Sequence, residues 1–513
     1  MGYSKAYTWR LQIALLSLLG LALLSRLLCL GNIFQSGDNA ALAVNVIVNP
    51  GYSWMIRGNY GVLINLFVKL FVGLVSSLGI TITEFWWKAP VALLGTLQVP
   101  LSFLFLRRLG STEAGALWGA AFVAILPIHV MQSRYPYGYE VFGVFFGAIA
   151  LWSLLNFFNH PTTKTGLVAS LCSALYLISH GYIIPFIPCL VSVAALFPPS
   201  ERDSALDKLG TGIKLLTARL VWLLPVLSLP LCYTSVVHGL QKRARIGFFL
   251  PNHILGFVEN TGVLLALCLL VFTVIGTLSR KTRSKEILLL ATWGLAYLAP
   301  LFFGTPPGVT VVRGYMLVGT FYLVLCTTLV LDKLAKEHKR LIVILISLCF
   351  LTTLWGTAES IFGYDQWVDP SGVKIERGGI PPDPGSKAAG YLVRSYVSPA
   401  DKALAIHRAV EPPNLFYYFG RTGYAYYDLT LEQSLEQFWQ TKDRVDIVIC
   451  DADQLPAVEA DGSFVERMVI LSKDVPRLWI YARPDVDMPS IRADVVALNR
   501  AFDQAYAWDV TVR

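Results

Sequence analysis

The sequence is poor in charge. Charged residues make up only 15% of the 513 residues, whereas hydrophobic residues make up 55%. Soluble domains carry about 25% charged residues. The composition therefore excludes an ordinary water-soluble globule and places the chain among integral membrane proteins.

Several motifs are also missing from the sequence. It contains no Asn-x-Ser/Thr sequon, no Gly-rich phosphate-binding loop and no nucleic-acid-binding module, so it gives no support to P-loop chemistry or nucleic-acid recognition. Seven of the eight cysteines lie in or at the ends of apolar runs, and Cys450 stands apart. This pattern indicates neither a disulfide framework nor a zinc site. The net charge of +8 reflects the loops between apolar runs and does not indicate nucleic acid.

What the chain has instead is a series of long apolar runs. A helix of about 20 residues crosses the roughly 30 Å hydrocarbon core of a bilayer. The first run, Leu11 to Leu30, is too long for a cleaved signal and is predicted to remain as an anchor. The sequence predicts eleven transmembrane helices, at 11–30, 89–106, 114–131, 140–158, 165–179, 182–197, 220–236, 261–279, 287–303, 314–331 and 341–360. The apolar stretch 60–80 is predicted to be re-entrant or to lie along the membrane surface with the amphipathic segment 39–48.

The distribution of Lys and Arg predicts the orientation, because cytoplasmic loops retain positive charge. With the N-terminus inside, the cytoplasmic side receives Lys5, Arg10, Arg107, Arg108, Lys164 and the loops 202–219, 280–285 and 333–340. The outer side then receives 31–88, 134–140, 237–260, 305–313 and the C-terminus. We therefore predict that the N-terminus is cytoplasmic and that the C-terminal part is extracytoplasmic.

The composition changes abruptly after Phe362. Pro and Gly cluster at 378–385, and charged residues return. Short β-type runs at 403–407, 415–419, 445–450, 468–471 and 478–481 alternate with helical patterns at 387–396, 430–440 and 488–505. The sequence thus predicts a transmembrane domain over 1–361 and a small extracytoplasmic α/β domain over 362–513.

Charged residues at the outer ends of the predicted spans are candidate site residues, because a charge there must be neutralised, hydrated or used. Asp38 and Glu140 fit a catalytic role, but each also fits a helix-start acid that caps backbone N–H groups or favours the helix dipole. Arg313 fits either a phosphate ligand or a side chain that reaches the lipid headgroups. The same two interpretations apply to an outer basic cluster that breaks the charge rule, namely Lys242, Arg243 and Arg245.

Several features occur in a characteristic order along the chain. Asp38 follows the first helix, and residues 86–95 read Trp-Trp-Lys-Ala-Pro-Val-Ala-Leu-Leu-Gly. Residues 105–110 read Phe-Leu-Arg-Arg-Leu-Gly, a Ser133-Arg134 segment ends in Glu140, and Arg-Gly-Tyr at 313–315 opens a later span. This order resembles the GT-C glycosyltransferases, in particular the group with protein O-mannosyltransferases and the lipid A aminoarabinose transferase. The resemblance covers residues 10–160 well and the rest by topology only.

The resemblance implies specific roles. Asp38 corresponds to the candidate catalytic base, Glu140 to an acidic residue at the start of the fourth span, and Lys88 to a basic residue before the second span. The implied donor is a sugar on a polyprenyl phosphate, such as undecaprenyl or dolichyl phosphate, and the acceptor is a glycan, lipid or protein. The candidate ligands of the donor phosphate are Arg313, Lys88, Arg134, Lys242, Arg243 and Arg245.

The sequence also departs from this family. Many members carry paired acids after the first helix, whereas Asp38 is followed by Asn39, so a divalent metal is possible but not indicated. Lys88 stands where Arg is more usual. The Trp-Trp-Asp-Tyr-Gly motif is absent, which argues against an oligosaccharyltransferase.

Sugar transfer from a phosphodiester needs a base near the acceptor hydroxyl and positive charge where the phosphate leaves. Direct displacement would invert the anomeric carbon. A lipid-linked sugar flippase, polymerase or ligase shares the substrate and remains an alternative. A transporter is the other alternative, although the sequence shows neither an obvious inverted repeat nor mid-span acids.

Overall fold

The computed structural model describes the following residues, to which every structural statement below refers: 5–28, 30, 62–80, 82–135, 138–180, 183–197, 205–219, 221–229, 257–258, 261–303, 316–362, 389–390, 392–393, 402–405, 424–425, 431–472, 475–488 and 510–512. The chain divides into two compact units. The first comprises Met1–Leu28, Met55–Phe71 and Ala89–Phe362, and the second comprises Cys29–Trp54, Val72–Lys88 and Gly363–Arg513.

The first unit is helical where it is described, and its helices arise from the apolar runs. In chain order they are α1 (Lys5–Leu27), α2 (Val62–Ser77), α3 (Glu84–Arg108), α4 (Glu113–Ile125), α5 (Pro127–Gln132), α6 (Tyr139–Asn159), α7 (Thr163–His180), α8 (Ile183–Leu196), α9 (Ala205–Ala218), α10 (Val263–Leu278), α11 (Lys285–Phe303) and α12 (Leu317–Phe362). The unit boundary falls within α2 and α3.

Four of the described helices are long and apolar enough to cross a membrane: Trp9–Leu27, Glu84–Arg108, Glu140–Asn159 and Leu317–Ala358. Shorter apolar helices accompany them at Val62–Ser77, Glu113–Ile125, Thr163–Ser179, Pro185–Leu196 and Val263–Leu278. The predicted total of eleven spans stays a prediction. So does the re-entrant or surface position of 60–80, where the 16 residues of α2 extend about 24 Å at 1.5 Å per residue.

The helices bury polar groups and expose apolar ones, the inverse of a soluble protein. On α3, Leu97 is 51% exposed whereas its neighbour Gln98 is completely buried. On α10, Leu267, Leu270, Val271 and Val274 are each about half exposed. Such faces suit contact with lipid, because lipid tails solvate apolar side chains and buried polar groups then meet each other.

One predicted span, 114–131, is wrong as a single helix. The structure ends α4 at Ile125 and starts α5 at Pro127, with Leu126 between them in an extended conformation (φ −61°, ψ 117°). The reason is local, because a proline lacks the N–H that would continue the helix and disfavours the α conformation in the preceding residue.

The predicted spans 314–331 and 341–360 are the two arms of α12. A single non-helical residue, His338 (φ −127°, ψ 44°), separates the arms. Asp332 in the first arm contacts Thr112 at the start of α4, and Thr357 in the second arm donates a hydrogen bond to the Ile125 carbonyl at the end of α4. Along the first arm, Thr328 lies near Gly119 and Asp332 lies near Gly115. The first arm therefore runs toward the start of α4, so the chain must reverse to bring Thr357 to its other end.

The C-terminal part of the second unit is a mixed α/β fold. Its elements are β1 (Ala403–Ala405), β2 (Tyr424–Ala425), α13 (Leu431–Thr441), a 3₁₀ turn (Lys442–Arg444), β3 (Ile447–Cys450), α14 (Leu455–Asp461), β4 (Val465–Ser472), β5 (Val475–Ala482) and β6 (Val510–Val512). The strand order is β2-β1-β3-β5-β4-β6. Strands β2, β1 and β3 pair in parallel, and the other pairs are antiparallel.

Alternation of apolar side chains builds the core of this sheet. Phe438 from α13 and Val458 from α14 pack with Leu404, Val448 and Tyr481. The predicted strands near 403, 445, 468 and 478 and the predicted helix near 430 are all present. The predicted strand 415–419 and most of the predicted helices 387–396 and 488–505 lie outside the described residues.

Candidate active site at a broken helix

The break between α4 and α5 leaves the last carbonyls of α4 without their helical partners. Arg26, in the last turn of α1, supplies hydrogen bonds to two of them. Its Nη1 donates to the Ala124 carbonyl (3.0 Å) and its Nη2 donates to the Val123 carbonyl (3.2 Å). Thr357 donates to the third, the Ile125 carbonyl. Side chains from two other helices thus satisfy backbone groups that no water could reach in a membrane.

Arg26 is completely buried, and no acidic side chain of the described residues forms an ion pair with it. Its charge is balanced by acceptors: besides α4, Nη1 donates to the Ala22 carbonyl (3.0 Å) and the Ser25 hydroxyl (3.3 Å), and Nε donates to the Ser133 hydroxyl (3.3 Å). The C-terminal end of a helix carries partial negative charge. The end of α4 is therefore a favourable place for a buried guanidinium.

Close packing holds α5 against α3. Gly95 on α3 lies so near Ser133 that a Cβ added at Gly95 would stand 2.7 Å from the Ser133 Cβ. The Ser133 hydroxyl donates to the His129 carbonyl (2.6 Å). A glycine at position 95 is required because only hydrogen fits in this space.

Arg134 follows α5 and caps the end of α1. Its Nη1 donates to the carbonyls of Leu28 (2.5 Å), Ser25 (3.2 Å) and Arg26 (3.4 Å). These are carbonyls of the last turn of α1, where a cation is favoured by the helix dipole. Its predicted role as a phosphate ligand stays a prediction, and the described contacts show a helix cap.

Glu140 lies in the first turn of α6 and is 1% exposed. Gly138, the residue before α6, lies close to Val91 and to the Gln132 carbonyl, which a Cβ at position 138 would approach to 2.6 Å. The Glu140 Oε1 atom receives no hydrogen bond from the described residues. A buried carboxyl oxygen without a donor is costly, which marks this carboxyl as a group suited to receive or release a proton.

A buried polar chain connects Arg26 with the start of α6. Arg26 Nη2 lies 2.5 Å from His129 Nδ1, and His129 Nε2 contacts the Gln98 side-chain oxygen. Gln98 Nε2 then donates to the Val141 carbonyl (2.6 Å). His129 and Gln98 are both fully buried. The chain ends at the residue next to Glu140.

Two of the predicted site residues, Arg134 and Glu140, lie in the first unit, Arg134 after α5 and Glu140 in the first turn of α6. Lys88 belongs to the second unit, where it is 2% exposed on α3, one helical turn from the fully buried Glu84. The remaining candidates, Asp38, Arg313, Lys242, Arg243 and Arg245, lie outside the described residues. No group of three or more His, Cys, Asp or Glu side chains within the described part could hold a metal ion.

Our sequence analysis missed Arg26, His129 and Gln98. Arg26 lies inside the apolar run 11–30, and Gln98 is at the middle of the predicted span 89–106. A charged or amide side chain within a span is itself a signal of function. Pro127 inside the predicted span 114–131 was a second such signal, because it marks a helix break.

Comparison with known proteins shows which proteins the chain is similar to. A family model described as dolichyl-phosphate-mannose-protein mannosyltransferase matches residues 68–240, about a third of the chain. This range includes Gln98, His129, Arg134 and Glu140. No curated protein matches the sequence.

Solved structures resemble the chain over nearly its whole length. ArnT from Cupriavidus metallidurans bound to undecaprenyl phosphate superposes with a TM-score of 0.61 at 12% identity, covering 95% of this chain and 100% of that one. The oligosaccharyltransferase AglB from Archaeoglobus fulgidus, in complex with an inhibitory peptide and a dolichol-phosphate, gives 0.59 at 13% identity, covering 95% and 75%. The fold is that of the GT-C glycosyltransferases. The arabinofuranosyltransferase AftD from Mycobacteria gives 0.55 at 13% identity and covers 96% of this chain and 41% of its own.

The resemblance predicted from the sequence is thereby confirmed for the fold class, a polytopic helical membrane protein with a C-terminal region that contains a small sheet. The orientation of the termini stays a prediction.

Proposed function

We propose that the protein transfers a sugar from a polyprenyl-phosphate donor to an acceptor on the extracytoplasmic side of the membrane. The observation that carries this proposal is the buried Glu140, whose Oε1 lacks a hydrogen bond from the described residues. Glu140 lies in the first turn of α6, the helix that follows α4 and α5 with the break between them. The chain has a GT-C fold. Solved relatives hold undecaprenyl phosphate or dolichol-phosphate, which supports a donor of this class.

In the proposed reaction an acceptor hydroxyl attacks the anomeric carbon of the sugar. The bond between that carbon and the phosphate oxygen breaks, and polyprenyl phosphate leaves with its negative charge. A carboxylate accepts the hydroxyl proton. Direct displacement inverts the anomeric carbon. Asp38 is the base in this hypothesis, Glu140 is the second carboxyl, and Arg313 is the first candidate for the leaving phosphate.

Membrane residence fits this chemistry. Each buried CH₂ of a lipid chain contributes about 0.8 kcal/mol, so a soluble enzyme could extract a polyprenyl donor only at great cost. The apolar faces of α3 and α10, with exposed Leu97 and Leu270, offer surfaces for such chains.

The donor can be identified by mass spectrometry of lipid-linked sugars in cells with and without the protein. A polyprenyl-phosphate sugar should accumulate when the protein is absent. Purified protein should then release polyprenyl phosphate from that lipid only when an acceptor is present. A flippase or transporter would move the lipid-linked sugar without cleaving it, and that outcome would refute the proposal.

Three variants test the carboxyls. Asp38→Asn and Glu140→Gln should each slow sugar transfer by about 10² to 10⁴-fold, the typical loss of a general acid or base, with unchanged melting temperature. Glu113→Gln is the matched control, because Glu113 is also a first-turn acid, at the start of α4. Near-wild-type transfer by Glu140→Gln would reduce Glu140 to a helix-start acid.

A further inference from the structure

The polar chain from Arg26 to the start of α6 has a definite direction. A guanidinium only donates hydrogen bonds, so at the 2.5 Å contact the His129 Nδ1 atom accepts from Arg26. A neutral imidazole then carries its proton on Nε2, which donates to the Gln98 side-chain oxygen. The Gln98 amide donates in turn to the Val141 carbonyl. This tautomer of His129 satisfies the contacts with Arg26 and Gln98, while the Val123 carbonyl, 3.0 Å from Nδ1, accepts from Arg26 Nη2 instead.

The anchored end of this chain is rigid. Arg26 is fixed by the carbonyls of Ala124 and Val123 at the break in α4. The other end is the first turn of α6, where the Gln98 amide adds a hydrogen bond to the carbonyl of the residue after Glu140. The polar chain therefore connects the first turn of α6, which carries Glu140, to the break between α4 and α5.

We propose that Gln98 and His129 are positioning residues for Glu140: they fix the first turn of α6, and through it the buried carboxyl. The role of Glu140 in this inference rests on the proposed function. The hydrogen-bonded connection between Gln98 and the first turn of α6 does not. Gln98 acts on Glu140 through the backbone carbonyl of the next residue, Val141. Displacements of about 1 Å in a catalytic group can cost about a hundredfold in rate.

The first test measures the coupling without any substrate. Gln98→Met has a similar shape but loses the amide, so hydrogen exchange of backbone amides in residues 139–146 should become about five- to tenfold faster, the effect of losing one hydrogen bond. Exchange in α7 should not change. Thr96→Val is the matched control, because Thr96 is buried on the same helix and its hydroxyl donates only to the Ala92 carbonyl of that helix.

The second test uses the polyprenyl-phosphate sugar identified by lipid mass spectrometry. Gln98→Met should lower kcat by about ten- to a hundredfold, as outer partners of site residues commonly do, with little change in KM for the donor. In the Glu140→Gln background the same substitution should cost nothing further, since its effect passes through that carboxyl. A general folding defect would lower activity in both backgrounds.

If Gln98→Met does not fold, Gln98→Leu replaces it, because a leucine side chain also lacks the amide that donates to the Val141 carbonyl. Unchanged exchange at 139–146, or losses that add in the double variant, would overturn the proposal. If the wild-type protein transfers no sugar at all, the proposed function fails, and the exchange measurement alone decides whether Gln98 positions the turn.

Discussion

The two ends of α4 are each held by a charged side chain from another helix, but the two arrangements differ. At the start, the Asp332 carboxylate accepts from the Thr112 amide (2.7 Å), the Thr112 hydroxyl (2.5 Å) and the Ser111 hydroxyl (3.0 Å). At the end, Arg26 donates to the Ala124 and Val123 carbonyls. Both charges complement the helix dipole.

The difference lies in what else each charge touches. Among the described residues, Asp332 accepts its hydrogen bonds from Ser111 and Thr112, just before α4. The Thr112 hydroxyl in turn accepts from the Gly115 amide (3.1 Å). Arg26 also contacts His129, from which the polar chain continues to the turn of Glu140. A buried charge from another helix therefore holds each end of α4. Asp332 holds the start of α4, whereas Arg26 holds its end and is also connected to the candidate site.

The largest expected effect on stability follows removal of the buried anchor. Arg26→Met removes the guanidinium donor of the Ala124 and Val123 carbonyls, of which Val123 keeps a contact with His129 Nδ1 (3.0 Å). Each lost hydrogen bond costs about 1 to 3 kcal/mol. The free energy of unfolding should fall by about 2 to 6 kcal/mol, and sugar transfer by the remaining folded protein should fall as well. Denaturation in detergent measures the first effect. Arg10→Met, an exposed arginine on the same helix, should change neither, and equal losses in the two variants would refute a special role for Arg26.

The start of α4, which Asp332 holds, provides the contrasting test. Asp332→Ala removes three hydrogen bonds to a carboxylate that is only 7% exposed, and should lower the free energy of unfolding by about 2 to 4 kcal/mol. The folded fraction should transfer sugar at the wild-type rate. Glu337→Ala serves as control, since its pair with Lys281 is exposed and worth about 0 to 1 kcal/mol. A lower turnover per folded molecule in Asp332→Ala would remove the distinction between the two ends.

Substitutions at two glycines give a further test of the difference between the start and the end of α4. An alanine Cβ at Gly115 would stand 2.5 Å from Asp332 Cγ, and one at Gly95 would stand 2.7 Å from Ser133 Cβ. Overpacking costs about 1 to 3 kcal/mol, so both variants should lose stability, while only Gly95→Ala should also slow transfer. Gly20→Ala, on an exposed face of α1 with open space around it, should be neutral or slightly stabilising. Equal turnover in Gly95→Ala and Gly115→Ala would contradict this expectation.

The ion pair between Lys442 and Asp461, outside the transmembrane helices, should have the smallest effect. Burial raises the pKa of Asp461, but hydrogen bonds from Lys442 and Ser463 and the charge of Lys442 outweigh it, so that the pKa lies below its ordinary value of 3.8. A depressed pKa stabilises the folded state above the unfolded pKa, and this contribution is lost as the pH falls through the folded pKa. Asp461→Asn should therefore destabilise the sheet at pH 6, and its difference from wild type should shrink below about pH 4.

Pulse proteolysis at the two pH values, with peptides from 431–482 quantified by mass spectrometry, measures this difference. A matched variant is Asp443→Asn, whose side chain is 84% exposed and lies 3.9 Å from Lys442. A difference that does not depend on pH would assign Asp461 to packing alone.

Half of the twelve helices described in residues 5–362 lie where apolar runs in the sequence predict them. Helices α3, α6, α7, α8, α10 and α11 fall within a few residues of predicted spans, because a helix that meets lipid must be continuously apolar. Four of the six described strands, β1, β3, β4 and β5, also followed from short apolar runs, whereas β2 and β6 were not predicted. Glu140 could also be identified as a candidate from the sequence, since an acid at the start of an apolar run is visible there.

The contacts between polar groups on different helices became visible only in the folded structure. Arg26, Gln98 and Ser133 are far apart in the sequence, and nothing in their spacing shows that a break at Leu126 would expose carbonyls for Arg26 to bind. That Arg134 caps α1 was likewise not visible in the sequence, and its predicted role as a phosphate ligand stays a prediction. Apolar burial is set by the composition of each segment, but hydrogen bonds between helices depend on angstrom-scale packing, which is a property of the assembled fold.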